Sequence, residues 1–196
     1  MTKRFRMLAA ACCVLALAAC ASQKAPAEAA LNAAQQAYDA VKADGAKYVP
    51  QEAKDVEAAI GAAKASFDKG DYAAALTAAQ GLPARISALG SAIAAKKTEL
   101  TATWTALSAG LPQIIAAIQS RVDILSKSKK LPAGIDAAAF DGVKTGLAGL
   151  NQTMTDATTA ASGGDLAGAV AKANDVKAQA VKALGVLGLP VPAGLN

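Results

Sequence analysis

The chain has 196 residues, 54% of them apolar and 4% aromatic, and a formal charge of +5. It contains no His, which excludes a Ser-His-Asp triad, a His general base and His metal ligands. Its three cysteines, Cys12, Cys13 and Cys20, all lie in the first twenty residues, so a chain beginning at Cys20 has no second thiol with which to form a disulfide. More than a quarter of the residues are Ala, the strongest helix former, and long β-branched runs are missing. Helices packed through small side chains are therefore expected, not sheets.

The first element is a signal. Lys3, Arg4 and Arg6 form a positive start, and Met7 to Ala19 carries no charge. Thirteen helical residues reach about 20 Å, short of the roughly 30 Å hydrocarbon core, so a cleavable signal is expected over a permanent span. The segment ends Leu17-Ala18-Ala19-Cys20. This resembles the bacterial lipobox: a branched apolar residue, two small residues, then Cys. The resemblance implies removal of residues 1–19, a diacylglyceryl group on the Cys20 sulfur and acylation of its freed amine. Ala21, in place of Asp, implies delivery to the outer membrane. Two or more chains would make a stable anchor where one is marginal. Without Lys3, Arg4 and Arg6, 17 basic residues face 15 acidic ones, so the basic balance belongs mainly to the signal.

Residues 20–27 are expected to be a lipidated tether, small and Pro-containing, ahead of a helical domain over 28–188. A first helix is predicted from Glu28 to Lys47, with Leu31, Ala34, Tyr38, Val41 and Tyr48 on one stripe, ended by Pro50. A second runs from Gln51 to Lys69 on Val56, Ile60, Ala63 and Phe67, with Gly70 closing it and Asp71 capping the next. The third carries Tyr72, Leu76, Ala79, Leu82, Ile86, Leu89, Ile93, Leu100, Trp104, Leu107 and Leu111. Gly81 and Pro83 should kink or split it, and Gly110-Leu111-Pro112 should stop and restart it. A further stripe, Ile115, Ile118, Val122 and Leu125, leads to a loop from Lys127 to Gly134. Asp136 caps a helix with Phe140, Val143, Leu147, Leu150, Met154, Ala157 and Ala161 at alternating steps of three and four. Gly142, Gly146 and Gly149 in this helix suggest close approach of another backbone. Gly163-Gly164 ends it. Asp165 caps the last helix, with Leu166, Val170, Ala173, Val181, Leu184 and Leu187 inward, and residues 189–196 form a Pro-containing tail.

The segments around Gly70-Asp71-Tyr72 and Gly164-Asp165-Leu166 look alike at an offset of 94 residues. Two antiparallel hairpins sharing one turn are implied; true duplication and repeated use of a good turn both remain open. The Lys69-Gly70-Asp71-Tyr72 turn with Ala75 resembles that of a tetratricopeptide unit. The usual Trp-Leu-Gly opening is absent and Leu82 stands at the later Ala position, so the likeness stops at about ten residues. Cys20, Tyr48-Val49-Pro50 and Gly70-Asp71-Tyr72 together resemble a family of uncharacterised envelope lipoproteins, which implies location and fold but no activity.

Glu52, Asp55 and Glu57 cluster near a helix start, where they suit the dipole. Lys127-Ser128-Lys129-Lys130 sits where a helix ends, and with Lys96-Lys97 falls short of a nucleic-acid-binding stripe. Gly142-x-x-x-Gly146 lacks the strand and Lys of a phosphate loop. Trp104 is expected in the core. The expectation is thus an all-α, elongated helical bundle of antiparallel hairpins, five to seven helices, held to a membrane by lipid on Cys20. It would be a structural or protein-binding part of the cell envelope with an envelope protein partner. No catalytic, metal or cofactor residues and no nucleic-acid partner are expected, and the oligomeric state is open. The alternative is a carrier or sensor for an apolar small molecule between helices.

Overall fold

A computed structural model of the protein describes residues 23–192. The described residues form six α-helices and no strand, an all-α helical bundle as expected. The signal, Cys20 and the last four residues lie outside the described residues. The chain divides into two units, one ending at Lys96 and the other beginning at Lys97.

In the first unit, helix α1 (Lys24–Asp39) buries Ala27, Leu31, Ala34 and Tyr38. It starts four residues before the expected Glu28, so the later half of the expected tether is helical; Ala27 is fully buried and ties that turn down. The single helix expected to Lys47 is instead two, because α2 (Lys42–Tyr48) follows a break at Ala40-Val41. Chain length explains the break. The Tyr38 hydroxyl lies level with the Ala53 carbonyl, and only Val49 separates α2 from α3 (Pro50–Asp68). A straight helix would carry Tyr48 about 15 Å past Tyr38, beyond the reach of a one-residue link to α3. The chain therefore turns and lays α2 against the start of α3. There a Cβ on Gly45 would stand 3.1 Å from the Ala53 Cβ and 3.6 Å from the Leu89 methyls. Val49 is extended and Pro50 opens α3, where its missing N–H costs nothing. Helix α3 buries Ala53, Val56, Ile60 and Ala63.

Helix α4 (Tyr72–Ser126) is one uninterrupted helix of 55 residues that belongs to both units. The helix is not split at Pro83, and it does not stop and restart at Gly110–Pro112. An interior Pro costs about 3 kcal/mol. Leu82 and Leu111, each beside a Pro, are 2% and 0% exposed, and burying a Leu contributes about 1.5–3 kcal/mol. The apolar register also continues unshifted through both prolines, from Leu82, Ile86 and Leu89 to Leu107, Leu111, Ile115 and Ile118. Both rings lie on the exposed face, so the buried stripe gives the helix no reason to stop.

In the second unit, α4 from Lys97 is followed by a loop and by α5 (Ala137–Ser162) and α6 (Leu166–Val186). The Asp136 carboxylate accepts from the Ala139 N–H at 2.8 Å, the predicted N-cap. In the Thr-rich stretch of α5, Thr153, Thr155, Thr158 and Thr159 each donate a hydroxyl proton to the carbonyl four residues back, which satisfies the hydroxyls within the helix, while burial of Leu150, Met154 and Ala157 favours the helix itself. No close backbone crossing occurs at Gly142, Gly146 or Gly149, where a Cβ would meet nothing within 4 Å. The close approach is instead at Gly45.

The offset of 94 residues extends well beyond the turn. Ala53, Val56, Ile60 and Ala63 are buried, and so are Leu147, Leu150, Met154 and Ala157. Past the turn, Ala75, Ala79, Leu82, Ile86, Leu89 and Ile93 match Ala169, Ala173, Val176, Ala180, Ala183 and Leu187, all buried. Among the described residues no polar or charged residue is buried. Both cores are therefore held mainly by apolar packing and backbone hydrogen bonds, with the Tyr38 hydroxyl on the Ala53 carbonyl as a buried side-chain bond in the first, consistent with a pattern carried by period, not by side-chain identity.

Candidate functional site

Cys20, the one site residue expected from sequence, lies outside the described residues, so its surroundings begin at Gln23 and Lys24. The Lys24 ammonium stands 5.9 Å from the centre of the Tyr72 ring. Tyr72 meets Phe67 edge-on at 5.1 Å and 64°, a favourable arrangement for aromatic quadrupoles. The first helix therefore begins beside the α3–α4 turn. That turn is set by sequence: Gly70 takes φ +82°, a region open to Gly. The Asp71 N–H then reaches the Ser66 carbonyl at 3.0 Å and the Gly70 N–H the Phe67 carbonyl at 2.9 Å.

At the other end of the first unit, Lys42 bonds Glu57 at 2.8 Å and sits 5.7 Å from the centre of the Tyr38 ring. Tyr38 donates its hydroxyl to the Ala53 carbonyl at 3.1 Å. Lys64 donates to Gln35 at 2.7 Å, and Gln35 donates to Asp39 at 2.7 Å. Burial, then the Glu57 charge, raises the Tyr38 hydroxyl above its ordinary value. The hydrogen bond that Lys42 donates to Glu57 raises Lys42 above its ordinary value. Both shifts hold the resting protonation state more firmly, the opposite of what a nucleophile or base needs. Of the clustered acids, Glu57 is taken by Lys42 and Asp55 accepts from Gln51 at 3.0 Å. The Tyr38–Ala53, Lys42–Glu57 and Lys64–Gln35 contacts join α1 and α2 to α3.

The second unit holds a groove of about 560 Å³ between α4, α6 and the chain after α6. Its walls are Leu107, Leu111, Ile114 and Leu184, and the rim is Leu189, Pro190 and Pro192. Three sequence features open it. Gly110 carries no side chain, and a Cβ there would meet nothing within 4 Å. Ala106 and Ala117 leave the same side low. Gly188, at φ +66°, closes α6 with the Leu189 N–H on the Leu184 carbonyl at 2.9 Å, and Pro190 then prevents the helix from resuming. The stretch expected as a tail thus begins with a turn and lines the groove, and Gly188 followed by Pro190 is its signal in the sequence.

A second groove, about 730 Å³, lies between α4 and α5 and is lined by Trp104, Ser108, Ile115, Gln119, Asn151 and Met154. Trp104, expected in the core, is half-buried in this wall. The α4 stripe turns its Leu100, Leu107 and Leu111 inward and leaves the indole at the edge. Among the described residues no helix is long and apolar enough to cross a membrane, and no group of acids or thiols could hold a metal ion. No family model, curated protein or solved structure matches the chain.

Proposed function

We propose that this is a lipid-anchored, non-catalytic lipoprotein of the bacterial cell envelope, outer-membrane-bound and facing the periplasm, with a structural or protein-binding role. The observation that carries this reading is Leu17-Ala18-Ala19-Cys20, placed after a basic start and an uncharged run too short to span. The test is Cys20→Ser in the full chain. Loss of metabolic lipid labelling and of the protein from the membrane pellet is expected. A variant still cut before residue 20 and still membrane-bound overturns the reading. Cross-linking of the lipidated protein in its cells should recover one specific envelope protein, and recovery of only nonspecific neighbours counts against the binding role.

The groove beside Gly110 favours a second reading, a carrier or sensor of an apolar small molecule. Its size falls in the range of small-molecule sites, and its walls are aliphatic. A long-chain fatty acid or apolar dye should bind the mature chain, and Gly110→Phe should abolish binding while the helical spectrum stays intact. Equal binding by both proteins removes this reading.

A further inference from the structure

We propose that the α3–α4 turn of the first unit, with Lys24, Phe67, Lys69, Gly70 and Tyr72, is the surface that meets the lipid bilayer. The inference rests on anchoring at Cys20 and adds which face of the protein that anchor presents. Between the lipid-bearing Cys20 and the first residue of α1 there are three residues. Even fully extended, the chain from Cys20 to Lys24 reaches about 14 Å. Lys24 in turn lies against Tyr72, 5.9 Å from its ring centre. The turn is thus the end of the first unit nearest the acylated sulfur. Had residues 20–27 been a free tether, no face would have been favoured.

The chemistry of the turn suits that position. Phe67 and Tyr72 pack edge-on and are each half-buried; the amphipathic Tyr72 ring favours an interface that is apolar on one side and wet on the other, and Phe67 adds apolar surface beside it. Lys24 and Lys69 can snorkel their ammonium groups to lipid phosphates. Asp68 and Asp71 balance them in charge, so the anchor and the aromatic pair, not a basic patch, hold the turn down. Helix α3 then leads away from the bilayer. Its 19 residues span about 28 Å and place α2 and Gly45 at the far end.

The lipidated mature chain in vesicles of phosphatidylethanolamine and phosphatidylglycerol tests this. With the Cys20 sulfur acylated, Lys69→Cys, Ala58→Cys and Ala46→Cys each offer one reactive thiol for a donor dye, at exposed positions along the unit. Energy transfer to an acceptor on the lipid headgroups should fall in the order 69, 58, 46. A flat or reversed order while the protein floats with the vesicles overturns the orientation and leaves the anchor intact. Failure of the lipidated chain to float overturns both. The unsubstituted chain gives an independent readout: amine acylation at Lys24 and Lys69 should slow several-fold more than at Lys54 on transfer from detergent to vesicles. Equal slowing at all three overturns the proposal.

Discussion

Asp71 and Asp165 perform the same two tasks at an offset of 94 residues. Each backbone N–H closes the helix before it, on Ser66 at 3.0 Å and on Ala160 at 2.8 Å. Each carboxylate opens the helix after it, accepting from Ala74 at 3.1 Å and from Gly168 at 3.2 Å. The Gly before each has nearly the same φ, +82° and +81°. Together with the shared burial pattern on either side, one hairpin design is used in both units.

The caps give the first prediction. Asp71→Ala and Asp165→Ala should each cost about 1 kcal/mol, and Asn at either place should restore most of it. Gly70→Ala and Gly164→Ala should each cost about 1–2 kcal/mol, since a Cβ is strained at positive φ. Chemical denaturation of the mature chain measures all of these; an Ala at position 70 without cost would contradict the turn geometry.

A second prediction separates glycines by their surroundings. Gly45→Ala should destabilise by about 1–2 kcal/mol, because its methyl would press on Ala53 across a packed contact. Gly146→Ala should stabilise by roughly 1 kcal/mol, since the site is an exposed helical position with open space. Thermal melts of the two variants should shift in opposite directions.

Tyr38 gives the third. Its folded-state value is raised, so the folded protein holds the hydroxyl proton more tightly than the unfolded chain does. That contribution is complete below the ordinary phenol value of about 10 and is lost as pH rises through the raised value. Stability should therefore drop on the alkaline side. Tyr38→Phe should flatten that limb and cost about 1 kcal/mol at neutral pH through the lost bond to Ala53. An unchanged alkaline limb in titrated melting curves would assign the drop to other groups.

Pro83 gives the fourth. Because α4 passes through it without a break, Pro83→Ala restores a backbone N–H inside an existing helix. The variant should gain helical signal and stability, by up to about 3 kcal/mol. Lower stability would mean that the ring fixes a bend on which the bundle depends.

Two sequence signals decided most of the helices: apolar residues recurring at three and four, and the Gly-Asp and Asp caps at residues 70–71, 136 and 164–165. Both are local, because helix period and helix ends are set within a few residues. The lipid attachment expectation at Cys20 is equally local, a matter of four adjacent residues. Tertiary structure decided the rest. Only the level pairing of Tyr38 with Ala53 forced α1 and α2 apart, and only continuous burial on both sides of Pro83 and Pro112 kept α4 whole. The groove beside Gly110 and the placement of Lys24 against Tyr72 likewise join residues far apart in the chain. The stretch read as a tether proved half helical because Ala27 found a core to enter. Local propensity is worth about 1 kcal/mol per residue, even an interior Pro costs about 3, and packing of distant apolar side chains outweighs both.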